Sequence, residues 1–155
     1  MTVAVPFLWT NDADPTLPGP VYATGGAAGA DVRANLPADA RIPGLTLGPG
    51  RRLLVPTGLK LEIPSGYEIQ VRARSGLALK HGITLANAVG TIDSDYRGPL
   101  GIILLNTGHE DFQINHGDRI AQLVVAPVIR ADFVDAPALG ETTRAAGGFG
   151  STGRD

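Results

Sequence analysis

The sequence predicts an all-β fold of the two-sheet sandwich or jelly-roll kind, and three observations predict it. Several runs alternate apolar and polar residues with period two, which is the geometry of a strand with one buried and one wet face. The 21 glycines and 12 prolines set turns at short intervals along the chain. No stretch of about a dozen residues keeps a 3.6-residue period.

Taken in order, residues 3–9 are mostly apolar and end in Trp9, which reads as a strand followed by a Pro/Gly/Asp-rich connection over 11–20. Trp9 is expected to pack. The segment 35–48 has no clear period and is assigned to a surface loop. Leu59, Leu61 and Ile63 then alternate with Lys60 and Glu62, and Ile69, Val71 and Ala73 alternate with Gln70, Arg72 and Arg74. Pro64-Ser65-Gly66 divides these strands as a turn, because proline presets φ and glycine accepts positive φ. Gly76 to Lys80 suits one short helical turn.

The unbroken run Ile102-Ile103-Leu104-Leu105 predicts a strand covered on both sides. Phe112-Gln113-Ile114 and residues 120–129 add strands around the turn His116-Gly117-Asp118. Periodicity fades from Ala131, so residues 1–135 form one β-sandwich domain. Residues 136–155 form a linker and a flexible glycine-rich arm ending in Gly147-Gly148-Phe149-Gly150-Ser151-Thr152-Gly153.

Composition narrows the function. A chain of 155 residues supports one domain, and hydrophobic content of 43% against 18% charged residues fits a folded protein. A net charge of −2 and an aromatic content of 5% leave neither the basic field nor the stacking platforms that a long nucleic acid requires. A small phosphorylated ligand stays open, since a few arginines and a metal ion offset its charge locally. With no cysteine, disulfides, thiolate nucleophiles and cysteine-bound zinc are excluded. The first thirty residues hold no Lys or Arg and no long apolar run, so neither a signal peptide nor a membrane span is expected and a cytoplasmic location follows by default.

Three constellations carry chemistry. Asp93 and Asp95 are two apart, so on an extended strand they point the same way. Such a pair can ligate a hard cation, deprotonate a water, or cap local turns. Arg72-Ala73-Arg74-Ser75-Gly76 ends a strand with two guanidinium groups on one face, then a hydroxyl and a glycine, a pattern that suits either phosphate oxygens or a solvated sheet face. In the tail, glycines allow close backbone approach, Phe149 supplies a flat apolar face, Ser151 and Thr152 supply hydroxyls, and Arg144 a cation, although a glycine-rich terminus is more usually unstructured. His81, His109 and His116 show no metal-ligand spacing.

Together these segments resemble the trimeric dUTPase family, whose five ordered motifs span nearly the whole chain. Ala28-Gly29-Ala30-Asp31-Val32-Arg33-Ala34 looks like the first motif, and Arg74-Ser75-Gly76-Leu77-Ala78, running on to Ile83, like the second. Residues 87–98 match the third, Gly117-Asp118-Arg119-Ile120-Ala121-Gln122-Leu123 the fourth, and residues 144–153 the fifth. The resemblance implies a jelly-roll β-sandwich, a homotrimer with active sites between subunits, and a Mg²⁺-dependent dUTP diphosphatase. Such an enzyme makes dUMP for dTMP synthesis and limits uracil in DNA.

The same resemblance implies roles residue by residue. Asp93 is the base that activates the water attacking the α-phosphorus, with Asp95 structural beside it. Asn87, Gly90, Thr91 and Ile92 form the uracil pocket, and Tyr96 lies against the deoxyribose. Ser75 and Gly76 hold the phosphate chain, Arg74 adds charge there or at the subunit interface, and Gln122 reaches the phosphates directly or through water. Magnesium is held by substrate phosphates and water, with no direct protein ligand and Asp31 in support. Arg144, Phe149, Gly150, Ser151 and Thr152 clasp the bound nucleotide, and a neighbouring subunit is within their range, since residues 128–147 reach up to roughly 60 Å when extended. One departure stands out: the family motif usually has Gly after this arginine, whereas the chain has Ala145. The nearest rival is a dCTP deaminase-like enzyme on a related fold, and a more distant one is a non-catalytic binding protein.

Overall fold

A computed structural model describes residues 2–148. Strands β1 (Phe7–Trp9), β2 (Val21–Tyr22), β3 (Ala30–Arg33), β4 (Leu45–Leu47), β5 (Arg52–Pro56), β6 (Leu59–Leu61) and β7 (Tyr67–Arg72) precede α1 (Ser75–His81), the one helix among the described residues. Strands β8 (Ile83–Leu85), β9 (Gly90–Ile92), β10 (Gly101–Asn106), β11 (Phe112–Ile114) and β12 (Arg119–Pro127) follow it. The largest sheet runs in the order β2-β3-β12-β7-β9, a second in the order β5-β10-β8, and β1-β6 and β11-β4 complete the layers. Every pairing is antiparallel.

One core joins these sheets. Val32, Ile69, Val71, Ile92 and Leu123 from the large sheet meet Val55, Ile83, Leu85, Ile102 and Leu104 from the second, with Leu47, Leu59 and Ile114 at the sides. The alternation read in β6 and β7 appears directly as burial: Leu59 and Leu61 are inside with Lys60 out, and Ile69 and Val71 are inside with Arg72 out. At the turn before β7, Tyr67 N–H donates to the Pro64 carbonyl at 3.2 Å, and Gly66 takes φ +86°, which residues with a Cβ rarely adopt.

Several expectations are corrected. The apolar run of β10 is not covered on both sides within one chain: Ile102 and Leu104 are buried, whereas Ile103 and Leu105 are half-buried beside the exposed Leu54. A strand inside an antiparallel sheet with one packed face shows this alternation even when its outward residues are apolar. Segment 35–48 is more than a loop, since Leu36 and Leu47 are among the most buried residues and β4 pairs with β11. The first strand starts at Phe7, and β12 stops at Pro127, where Val128 N–H turns to the Gly66 carbonyl. From residue 128 to 148 no strand or helix forms, and Ile129, Phe133, Val134 and Leu139 are exposed.

Histidine 116 has a structural task. Its Nδ1 accepts from Leu36 N–H at 3.0 Å, so the ring proton lies on Nε2, 3.2 Å from the Asp14 carboxylate. Asp14 in turn accepts from the N–H and hydroxyl of Thr16, which, with help from His116 and Arg41, hold its carboxyl down to about 2. This ties the loop after β1 to the loop before β4.

Candidate active site

Strand β9 lies at the edge of the large sheet, paired with β7 so that Val71 faces Gly90 and Ile69 faces Ile92. Gly90 permits this closeness: a Cβ there would sit 3.1 Å from Asn87 Nδ2 and 3.2 Å from Val71 Cβ. The expected hairpin is not formed, since β9 pairs only with β7 and the preceding β8 pairs with β10; instead residues 87–96 border a cavity of about 210 Å³ whose wall includes Asn87, Gly90, Thr91, Ile92, Asp93 and Tyr96. Five residues expected at a base-and-sugar pocket thus share one wall with Asp93. Val71 and Leu100 also line it. Nothing in their apolar identity distinguished them in the sequence from other core residues.

Beyond β9 the chain reverses instead of staying extended. Tyr96 N–H donates to the Asp93 carbonyl at 3.2 Å, and Arg97 Nη1 donates to the Ser94 and Tyr96 carbonyls at 2.7 and 3.0 Å. The parallel alignment of Asp93 and Asp95 expected of a strand is therefore lost. Asp93 keeps an exposed carboxylate with no hydrogen bond or ion pair among the described residues, and it lines the cavity. Asp95 lies in the same turn, exposed, and borders a neighbouring cleft with Asp93 and Ser94. The Tyr96 hydroxyl donates to the Pro99 carbonyl at 3.1 Å, which fixes the ring over Gly98.

A second cluster is built on charge. Arg72 and Arg74 do not act together: Arg72 bonds the Gln70 amide oxygen, whereas Arg74 has left the strand and turns to Asp31. Asp31 is buried, and both its oxygens are occupied. Arg74 Nε lies 3.3 Å and Gln122 Nε2 3.3 Å from Oδ1, and Arg119 Nη1 donates to Oδ2 at 2.9 Å. Arg74 Nη1 also donates to the Arg119 carbonyl at 2.9 Å. Among the described residues no three His, Asp or Glu side chains gather as a metal site.

Arg74 immediately precedes α1. It has extended backbone, and its carbonyl accepts from Ala78 N–H, which leaves the N–H groups of Ser75, Gly76 and Leu77 without helical acceptors. No side chain caps this end and no acidic residue lies in the first turn, while Lys80 and His81 favour the other end of the helix dipole. The Ser75-Gly76 turn is thus an exposed set of donors beside the arginine cluster.

In the arm, Ala145 N–H donates to the Thr142 carbonyl at 3.1 Å and Arg144 Nε to the Gly147 carbonyl at 2.8 Å. Arg144 is therefore held within its own turn and is not brought to the other site residues. Ala145 has φ +43°, the only positive φ of a non-glycine among the described residues. Phe149, Gly150, Ser151 and Thr152 lie outside the described residues.

A model of the dUTPase family matches residues 17–153. The chain belongs to the dUTPase family. A deoxyuridine 5'-triphosphate nucleotidohydrolase of Roseobacter denitrificans is 58% identical over 99% of this chain and 98% of its own length. The enzyme of the same name from Dinoroseobacter shibae is 57% identical over 99% of both chains. Among solved structures, the dUTPase of Staphylococcus bacteriophage 80alpha with dUPNHPP superposes at a TM-score of 0.81, at 23% identity and over 98% of this chain and 99% of that one. A mutant dUTPase of phage phi11 of S. aureus, described with a structural Mg(II) ion, gives 0.71 at 21% identity, over 87% and 97%. The dUTPase fold is thus shared even where the sequences have diverged widely.

Proposed function

We propose that this chain hydrolyses dUTP to dUMP and pyrophosphate by attack of a water, activated by Asp93, on the α-phosphorus. The observation that carries the reading is an unpartnered carboxylate on the wall of a small nucleoside-sized cavity, in a chain of the dUTPase family. The cavity is below the roughly 300 Å³ at which drug-sized sites begin, which suits one pyrimidine and its sugar. Asn87 and the backbone of β9 pair with the uracil edge. The closeness of Gly90 to Val71 and Asn87 leaves little room for a 5-methyl group. Tyr96 lies against the deoxyribose and excludes a 2′-hydroxyl.

Asp93 accepts the proton of the attacking water as the new P–O bond forms, and the bond to the β-phosphate breaks with pyrophosphate leaving. The N–H groups of Ser75 and Gly76, the exposed part of Arg74, and Gln122 stabilise the negative charge. Positioning accounts for the rest of the rate, because the displacement needs the water, the α-phosphorus and the leaving oxygen in line.

Magnesium would be held by the phosphates of the substrate and by water. The donor set fits that assignment and not a resident ion, since both Asp31 oxygens are taken by arginine and glutamine donors. When bound, the metal neutralises phosphate charge and fixes the conformation of the triphosphate. Asp31 supports the site by anchoring its cations, and Asp95 supports the turn that carries Asp93.

The proposed functional unit is a homotrimer, and the apolar exposure of Leu54 on the second sheet and of Ile129, Phe133, Val134 and Leu139 on the extended segment supports burial between copies. A cytoplasmic location belongs to the same proposal. The strands of the sandwich end at Pro127, and the proposed arm is the segment after residue 135, whose Arg144, Phe149, Gly150, Ser151 and Thr152 close over a bound nucleotide. No described helix is long and apolar enough to cross a membrane. Incubation with dUTP and separately with dCTP, measuring pyrophosphate and ammonia, tests the reading: pyrophosphate from dUTP is expected, and ammonia from dCTP without it would replace dUTPase by deaminase chemistry. Sedimentation of the intact protein is expected to show a species of about three times 16.0 kDa.

A further inference from the structure

Strand β12 changes parity at its start. Gln122 faces Asp31 and Ala121 faces Val32, yet the next partner of Arg33 is Arg119, so two steps on β12 oppose one on β3. Ile120 and Ala121 are consequently both buried in succession, which a regular strand with one wet face does not allow. Without the bulge, residues 119 and 122, three apart, would project to opposite faces. With it, both reach the same carboxylate: Arg119 Nη1 donates to Asp31 Oδ2 at 2.9 Å, and Gln122 Nε2 lies 3.3 Å from Oδ1.

Arg119 grips the cluster at both its ends. Its guanidinium holds Asp31, and its carbonyl accepts from Arg74 Nη1 at 2.9 Å, while Arg74 Nε lies 3.3 Å from the other oxygen of Asp31. Arg74 is thereby fixed between a backbone acceptor supplied by Arg119 and a carboxylate that Arg119 orients. The side chain of Arg119 is itself 45% exposed, so the core does not require its charge.

We propose that Arg119 is a positioning residue for the reaction, holding Asp31 so that Arg74 and Gln122 are presented to the triphosphate; this rests on the reading that those two serve the phosphate chain. A single N–H on one oxygen is a contact that an ammonium can replace, whereas a neutral amide cannot carry the charge. The effect is expected in dUTP turnover and not in recognition of the base and sugar, which the proposed reading gives to residues 87–96.

The test measures kcat and KM for dUTP and the affinity for dUMP, which lacks the β and γ phosphates, in Arg119→Gln, Arg119→Lys, Arg74→Ala and the double variant Arg119→Gln/Arg74→Ala. Arg119→Gln is expected to lower kcat/KM about tenfold or more with dUMP affinity within about twofold, and Arg119→Lys to recover to within about threefold of the parent. In the Arg74→Ala background the same change is expected to add less than about twofold, because residues acting through one another are not additive. Near-parental turnover of Arg119→Gln alongside an impaired Arg74→Ala overturns the proposal alone. Full turnover of Arg74→Ala overturns the underlying assignment of the phosphate site. Equal losses for dUTP and dUMP with a lowered Tm would make Arg119 merely structural.

Discussion

Two aspartates close to the large sheet meet opposite fates. Asp31, on β3 in the interior of that sheet, is buried and touched by Arg74, Arg119 and Gln122. Asp93, just past the edge strand β9, is exposed and has no polar partner among the described residues. A carboxylate surrounded by cations is a support, because its lone pairs are spent and its protonation would strand those cations. One that lines a cavity with its oxygens unoccupied can accept a proton from water. The same residue type thus stands as a saturated anchor at one end of the site and as an unoccupied carboxylate, the base of the proposed reaction, at the other.

Replacing each acid by its amide breaks the comparison most directly. Asp93→Asn is expected to lower kcat by roughly 10²–10⁴, the range for loss of a positioned base, with KM nearly unchanged and no loss of Tm. Appreciable retention of turnover would remove Asp93 from the chemistry. Asp31→Asn is expected to do the reverse in kind. It should lower stability by about 1–3 kcal/mol, at the modest end for a broken ion pair because Arg74 and Arg119 keep access to water, and reduce kcat/KM by roughly tenfold. A thermal melt and a kinetic run on the same preparation separate the two cases.

How far these roles were legible in the sequence differs between the ends of the site. β9 itself was not read as a strand, and its Asp93 and Asp95 alone left a cation site, a base and a turn cap open, so the roles expected of residues 87–98 came from the family resemblance. The strands with period two, β6 and β7, were readable from local alternation alone. The anchor was not, because Asp31, Arg74 and Arg119 come from distant segments, and a one-residue bulge in β12 decides which side Arg119 takes. β4 escaped because three residues paired to β11 make too short a run for periodicity. The double cover expected of β10 is not met within one chain, because apolar composition does not reveal which of two faces meets the chain's own core.

Smaller perturbations sharpen the same contrast. A Cβ on Gly98 would collide with the Tyr96 phenol and lie 2.5 Å from its Cζ, and the obstacle is the far end of a side chain that can swing aside. Gly98→Ala is therefore expected to spare the fold while displacing the ring, lowering the preference for dUTP over UTP by roughly tenfold, about 1.4 kcal/mol. Unchanged discrimination would show that Tyr96 does not select the sugar. Away from the site, Asp14 is held near 2 by Thr16, so its folded value lies below the unfolded 3.8. The stability it contributes is complete above that unfolded value and is lost as pH falls through the folded one. Asp14→Asn is expected to flatten the fall of Tm with acid below about pH 4 and to leave kcat at neutral pH unchanged; an equal acid slope would refute the assignment.

The smallest effect belongs to the arm. Ala145 adopts φ +43° in the turn closed by Thr142, a region where a Cβ costs of order 1 kcal/mol and glycine does not. That cost falls on whichever form of the arm needs the turn. If the turn persists when the arm covers bound nucleotide, Ala145→Gly lowers KM or raises turnover by up to roughly fivefold, less whatever the freer glycine adds to the entropy of the open arm. The β9 segment and the arginine cluster are untouched by the change, so dUMP affinity serves as an internal control. Equal kinetics for the two residues would mean that relief of strain and added chain freedom cancel, or that closure does not use this turn. Measuring KM over a range of temperature distinguishes these, because only compensation between the two leaves a change in the enthalpy of binding.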